Sequence, residues 1–303
     1  VKSQEGKLND MLLGSIEAGG TKFVCSVGTE QFEVKHSSTF PTTTPQKTLK
    51  QAIDFFKSFD VVAIGIGSFG PIDIIRESKT YGYVMSTPKP YWSDVDMIGL
   101  LKKELNVPMY FTTDVNASAY GELIANENQG SQSLVYFTIG TGIGAAAIQQ
   151  GQFIGGISHA EMGHQFVKRH PKDLEFKGIC PFHGDCLEGV ASGPSLKART
   201  GISGENISLD CEVWDIQAYY IAQAAISATL TLAPSKIIFG GGVMAQEHMI
   251  ARVRTHFKAL LNDYVMTPPL EDYLQLTSIA DNGSATLGNF ALALKELRYK
   301  GHL

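Results

Sequence analysis

The chain has 303 residues, 44% hydrophobic and 18% charged, with a formal net charge of −5. That length allows two domains or one large one, each with a full core. The acidic balance and the lack of any long Lys/Arg run argue against a nucleic-acid surface, and no apolar run approaches the ~20 residues that cross a bilayer.

Residues 1–10 are polar and lack the charged and apolar segments of a secretory signal. They read as an added tail, with a native start expected at Met11. Residues 11–16 are apolar and predict a first strand. It runs into Glu17-Ala-Gly-Gly-Thr-Lys22 and resumes as a second strand over 23–27. A strand–glycine–strand hairpin exposes backbone N–H groups at its tip. Gly19 and Gly20 leave room for an anion there, and Thr21 and Lys22 add donors. A plain Gly-Gly hairpin turn explains the same residues equally well. Cys25 reads as a core residue of the second strand.

A third strand is predicted over 31–39. Thr42, Thr43 and Thr44 before Pro45 start a helix well, and apolar residues at 49, 52, 53, 55, 56 and 59 give it one buried face. Residues 61–66 predict a buried strand that ends in Gly67-Ser-Phe-Gly70-Pro71-Ile-Asp73. Such loops beyond a strand's C-terminal end carry ligands in open α/β sheets. A helix is expected from Trp92, Ser93 or Asp94 to about Leu105, and a strand over 108–112. Asp114 then sits where that strand meets a helix over 117–125. A carboxylate there is either an N-cap or a general base.

Residues 134–139, Gly140-Thr-Gly-Ile-Gly144 and residues 145–148 repeat the strand–glycine–strand device. Two opposed backbone cradles could hold a polyphosphate. They also suggest two halves related by duplication, with a seam near 126–130.

His164 opens a turn-rich segment that closes with Cys180-Pro-Phe-His183-Gly-Asp-Cys186. Thiolate and imidazole at i, i+3 and i+6, with Pro181 and Gly184 breaking helix, suit a loop folded on a tetrahedral Zn²⁺. His164 is the expected fourth ligand, with His159 and His170 as competitors. The alternatives are buried structural cysteines and a Cys180–Cys186 disulfide, the latter disfavoured in a reducing cytoplasm. Glu188 sits near the start of a following helix, where a carboxylate also simply suits the helix dipole.

Residues 215–233 predict a buried alanine-rich helix stopped by Pro234. Residues 236–239 predict a strand, followed by Gly240, Gly241 and Gly242, expected to open a helix where a flat ring or phosphate lies on bare backbone. A helix over 249–261, a strand over 274–279 and a helix from Asp281 to about Arg298 complete the chain. Asp73 and Asp281 read as caps.

Together these residues resemble the ROK family of sugar kinases, within the actin/hexokinase-like superfamily, from Met11 to about Arg298. Glu17-Ala-Gly-Gly-Thr-Lys22 and Thr138-Ile-Gly-Thr-Gly-Ile-Gly144 are similar to its phosphate loops. Thr113-Asp114-Val-Asn116 is similar to its catalytic segment, with Thr113 where the family commonly has Asn. Glu161-Met-Gly-His164 and the 180–186 loop are similar to its zinc region, and residues 240–244 to its adenosine loop. The form Cys-Pro-Phe-His-Gly-Asp-Cys-Leu-Glu-Gly-Val-Ala-Ser-Gly-Pro194 resembles its fructokinase branch.

The resemblance implies an α/β, two-domain actin/hexokinase-like (ribonuclease H-like) fold with an active-site cleft between the domains. Expected boundaries are 11–127 plus about 289–303 for the smaller domain, and 128–288 for the larger. It implies a cytoplasmic homodimer that phosphorylates a hexose with ATP and Mg²⁺, fructose to fructose 6-phosphate first. Asp114 would be the base. Gly19, Gly20, Thr21, Lys22, Gly140, Thr141, Gly142, Pro194, Gly240, Gly241, Gly242, Val243 and Met244 would bind nucleotide. Gly70, Pro71, Thr113, Asp114, Glu161, His164 and Glu188 would hold the sugar. A kinase for glucose, mannose or an N-acetylhexosamine is one alternative. A sugar-sensing regulator is another, but it would need a basic helix-turn-helix domain that these residues do not contain.

Overall fold

In the computed structural model, which describes residues 11–126, 132–279 and 283–299, the first two apolar runs pair as an antiparallel hairpin. They are β1 (Leu12–Ala18) and β2 (Lys22–Thr29), and Ala18 faces Phe23 across the tip. β3 (Val34–Pro41) pairs with the far side of β2. α1 (Pro45–Phe56) starts at the expected threonine–proline signal, with Thr44 as N-cap, and buries Leu49, Ala52 and Phe56. β4 (Val61–Ser68) lies parallel to β1, and its continuous apolar character fits a strand covered on both faces.

After β4 the short β5 (Tyr83–Val84) pairs with β6 (Val95–Asp96), and α2 (Met97–Lys102) follows. β7 (Met109–Thr113) closes the sheet in the order β3-β2-β1-β4-β7, and α3 (Asp114–Ala125) leaves its end.

The second sheet is built the same way. β8 (Leu134–Ile139) and β9 (Ile143–Gln149) form a hairpin, and β10 (Gln152–Phe153) pairs with β9. A 3-10 turn (Met162–His164), the metal loop, α4 (Leu187–Ala191), α5 (Gly193–Thr200) and α6 (Val213–Leu232) follow. β11 (Lys236–Gly240) lies parallel to β8. Then come α7 (Glu247–Leu261), α8 (Leu270–Tyr273) and β12 (Leu274–Leu276), which lies parallel to β11. The order β10-β9-β8-β11-β12 repeats the first sheet with the same strand directions, as a duplication predicts.

The chain divides into two compact units. The first takes residues up to Ala125, Gly155–His159 and the chain from Ile279 onward; the second takes Asn126–Ile154 and Ala160–Ser278. α9 (Gly283–Tyr299) therefore belongs to the first unit. Its Phe290, Ala293, Leu294 and Leu297 pack with Leu13 of β1 and Ala63 of β4. Asn289 Nδ2 donates to Ser15 Oγ at 3.1 Å and to the Ile16 carbonyl at 3.0 Å. Ser284 Oγ bonds Glu122 Oε1 of α3 at 2.6 Å. Among the described residues, no helix is long and apolar enough to cross a membrane.

Several local expectations are corrected. The helix predicted from Trp92 starts only at Met97, capped by Asp96, whose Oδ1 accepts from Gly99 N at 2.7 Å. Tyr91 and Asp94 have φ of 71° and 59°, outside helical space, and Trp92 is buried with its indole N–H on the Thr43 carbonyl at 2.7 Å. The glycine run after β11 opens a turn instead of a helix, with Ala245 N on the Gly241 carbonyl at 3.0 Å, and α7 begins at Glu247. α3 starts three residues before the predicted Ala117, at Asp114. β3 spans Val34–Pro41 where 31–39 was expected, and β12 stops at Leu276 before the predicted end at Ile279. Asp281, part of the expected seam and residues 1–10 lie outside the described residues.

Candidate active site and metal centre

In the first unit, Glu17 is the last residue but one of β1, Lys22 starts β2, and Gly19 N closes the turn onto the Lys22 carbonyl at 3.0 Å. Thr42 fastens the turn from outside: its Oγ1 donates to the Gly19 carbonyl at 2.6 Å, and its N–H to the Thr21 carbonyl at 2.8 Å. Burial, together with the negative Asp114, pushes the Glu17 carboxyl up to about 7, partly countered by Lys22. Glu17 and Asp114 therefore feel one another's charge.

Asp114 is the first residue of α3, yet the cap comes from its neighbour. Thr113 Oγ1 accepts from Asn116 N at 3.0 Å, as an N-cap does, and Asn116 Nδ2 reaches Thr112 Oγ1 at 2.9 Å. The N-cap bond is therefore made by Thr113, while Asp114 Oδ1 accepts from the adjacent Val115 N at 2.9 Å. Gly70 and Pro71 follow β4, with Met85 N on the Pro71 carbonyl at 2.8 Å and Thr87 Oγ1 on the Gly70 carbonyl at 3.4 Å. Asp73 is a turn residue: it accepts from Ile75 N at 2.9 Å and Thr80 Oγ1 at 2.7 Å.

In the second unit, the Gly140–Gly142 turn faces a carboxylate from far along the chain. Glu188 Oε2 accepts from Ile143 N at 2.9 Å. A Cβ on Gly142 would lie 2.7 Å from that oxygen, so the glycine is what admits Glu188. The other oxygen, Oε1, lies 3.9 Å from His164 Nε2. His164 is set beside β9 by Gly163, where any Cβ would lie 1.8 Å from the Ile143 carbonyl oxygen. Glu161 precedes the same 3-10 turn, with its carbonyl accepting from His164 N at 3.0 Å.

The opposite ring nitrogen of His164 faces the metal loop. Its Nδ1 lies 3.7 Å from Cys180 Sγ and 3.5 Å from Cys186 Sγ, and His183 Nδ1 lies 3.7 Å from Cys180 Sγ. The four donor atoms lie within 4.8 Å of one another. A tetrahedral ion with bonds of about 2.3 Å to sulfur and about 2.0–2.1 Å to nitrogen sets S···N edges at about 3.6 Å. The cluster fits such an ion. Burial pushes the Cys186 thiol up to about 11, so the thiolate needs a cation beside it.

The loop is shaped for this by a tight exchange of bonds: Cys180 N to the Gly184 carbonyl at 3.0 Å and Gly184 N to the Cys180 carbonyl at 2.9 Å. The competitors serve elsewhere. His159 Nδ1 meets Ser158 Oγ at 3.1 Å, and His170 Nδ1 accepts from Lys172 N at 3.2 Å. All four cysteines are free thiols, so the Cys180–Cys186 disulfide is absent.

A pocket of about 500 Å³ brings together Gly140, Thr141, Pro194, Gly242 and Val243. Gly193 N donates to the Gly140 carbonyl at 2.7 Å, which joins the turn to the start of α5. Met244 is wholly buried in the core and Gly240 ends β11 inside the sheet; neither lines the pocket. The pocket also takes Leu196, Lys197, Ser203, Glu205, Trp214 and Gln246, none singled out by sequence. They carry no motif spacing, and only Leu196, Lys197 and Gln246 neighbour a recognised motif.

The model of the ROK family matches residues 13–296. A fructokinase of Streptococcus mutans is 60% identical over 288 residues, covering 94% of this chain and 98% of that one. A fructokinase of Lactococcus lactis subsp. cremoris is 60% identical over 281 residues, covering 92% and 96%. A ROK hexokinase from Thermus thermophilus superposes with a TM-score of 0.81 at 21% identity, covering 95% of this chain and all of that one; at that identity it shows the fold.

Proposed function

The chain belongs to the ROK family, and from that premise we propose that it transfers the γ-phosphoryl group of ATP to D-fructose, giving fructose 6-phosphate and ADP. Identity of 60% with two fructokinases across nearly their whole lengths supports the substrate. One observation carries the chemistry: the Asp114 carboxylate stands at the strand–helix junction, close enough to Glu17 to raise that carboxyl, while the N-cap bond of α3 goes to Thr113.

Asp114 accepts the proton of the sugar's primary hydroxyl as its oxygen bonds to phosphorus and the bridging oxygen leaves with ADP. Past Gly19 and Gly140, whose N–H groups close their own turns, the Gly20–Thr21 and Thr141–Gly142 backbone offers N–H groups to the phosphates. Val243, Pro194 and bare backbone at Gly242 wall the nucleotide pocket. Mg²⁺, when bound, neutralises phosphate charge, and Glu17 suits a water-mediated contact to it because its buried carboxyl gains from a nearby cation. The metal of the loop is Zn²⁺, held by His164, Cys180, His183 and Cys186, with a structural role. On this reading Gly70, Pro71, Thr113, Glu161, His164 and Glu188 are the residues that bind the sugar. The four thiols suit a cytoplasmic enzyme, and a homodimer is its expected state.

The test is ATP-dependent phosphorylation across a panel of sugars, with wild type beside Asp114→Ala. Fructose turnover in wild type and a kcat roughly 10²–10⁴-fold lower in the variant is the expected result. Equal turnover of glucose or mannose discards the narrow substrate. Sugar binding without any turnover moves the chain to the sensing class.

A further inference from the structure

The loop between His164 and Cys180 carries a carboxylate that the reaction does not use. Asp173 is 6% exposed, and four donors reach its side chain. Arg199 Nε meets Oδ1 at 2.8 Å and Arg199 Nη2 meets Oδ2 at 2.8 Å, a two-point fork. Tyr220 OH of α6 donates to Oδ2 at 2.8 Å, and Arg169 Nη2 lies 3.3 Å from the same oxygen. Burial alone would raise this carboxyl; the bonds from Arg199 and Tyr220 outweigh it and hold it below the usual carboxylate range.

The two arginines lead in different directions. Arg169 Nη1 bonds Asp185 Oδ2 at 2.9 Å, next to the ligand Cys186, and its Nη2 bonds the Phe176 carbonyl at 2.6 Å. That arm braces the metal loop. Arg199 lies on α5, whose Pro194, Leu196 and Lys197 line the nucleotide pocket. Its Nη1 reaches Ser195 Oγ at 3.1 Å, its Nη2 reaches the Val190 carbonyl at 2.7 Å, and its guanidinium stands 4.1 Å from the Phe176 ring centre. That arm braces the pocket wall. A buried acid between two guanidinium groups adds little net stability, because burying the charges costs about as much as pairing them returns. It is well suited to fixing two elements in one register, since planar forks tolerate little misalignment.

We infer that Asp173 is a positioning residue, holding the metal loop through Arg169 and the nucleotide-binding face of α5 through Arg199. The inference rests on the kinase reading for its nucleotide arm alone.

Three variants of the zinc-loaded full chain test it, read by zinc release to a chelator, calorimetric ADP binding and ATP kinetics at 25 °C. Asp173→Asn is expected to weaken zinc retention roughly 10-fold or more, as loss of outer support to a ligand does. It also weakens ADP binding and raises the ATP KM about 10-fold, while kcat at saturation holds. Arg169→Gln reproduces only the zinc effect, and Arg199→Gln only the nucleotide effect. A merely structural brace would lower the melting temperature of all three without that split. Zinc retention and ADP affinity unchanged in folded Asp173→Asn, or both functions lost equally in both arginine variants, would overturn the inference. Should Asp173→Asn not fold, the arginine pair decides by itself. Wild type that binds no ADP overturns the kinase reading, and zinc release from Asp173→Asn and Arg169→Gln still judges the brace.

Discussion

The two glycine turns, one in each unit, do the same thing by different means. At Gly19–Lys22 the charges are local: Glu17 and Lys22 flank the glycines in the chain itself. At Gly140–Gly142 no flanking residue is charged, and the carboxylate comes from Glu188 on α4. The first turn thus carries its own charges, with Thr42 fastening it and Asp114 acting on Glu17 from outside. The second takes its charge from α4, which the chain reaches only after the loop between His164 and Cys186. The comparison teaches that a duplicated backbone device can keep its geometry while its electrostatics become long-range in one copy.

Metal removal should separate the copies most strongly. Stripping Zn²⁺ removes about 4 kcal/mol of stability relative to a thousand-fold excess of free metal over Kd, and raises the sugar KM. Calorimetry and steady-state kinetics on verified metal-free protein check this; unchanged KM and melting temperature would remove the metal from the site. Next comes Gly142→Ala. Its Cβ would displace the Glu188 carboxylate, and kcat/KM for sugar should fall about 10–100-fold, the cost of a small misplacement in a site. Gly20→Ala, where a Cβ meets nothing within 4 Å, should leave stability within about 0.5 kcal/mol of wild type. Similar kinetic loss in Glu188→Gln would tie the Gly142 effect to the carboxylate.

A milder effect than loss of the metal is the pH response of Glu17. Its folded pKa, about 7, lies above its unfolded value of 4.5. The folded state therefore holds the extra proton, and the associated stability is present below pH 4.5 and lost as pH rises through 7. Glu17→Gln should flatten that fall, leaving the variant more stable than wild type at pH 8 by on the order of 1–2 kcal/mol, once solvent screening is allowed for. Urea titrations at pH 5 and 8 would show it; parallel slopes for both proteins would place the carboxyl's titration elsewhere.

What could be read from the sequence was what is local along it. Both hairpins, the threonine–proline start of α1 and the Cys180–Cys186 loop carry their own turn chemistry or ligand spacing, and the choice of His164 followed from a loop that returns to it. Asp173 could not be read this way. Its partners lie 4, 26 and 47 residues away, and an aspartate in a Pro-Lys-Asp stretch looks like any surface turn. The pocket wall at Lys197, Glu205 and Gln246 was missed for the same reason. The early start expected for α2 has another cause: Ser93 and Asp94 are cap residues by type, but Asp94 has a φ of 59° and Trp92 is held on the Thr43 carbonyl, so tertiary demand overrode the local cap signal.

The packing of α9 on β1 has a consequence in time. Asn289 bonds Ser15 and Ile16 across 274 and 273 residues, so the opening strand is roofed by nearly the last helix to be translated. Synthesis therefore delivers the second unit's sheet whole, from β8 to β12, before the first unit receives its cover. Until α9 has been made, Leu13 and Ala63 lack the side chains that bury them in the finished unit.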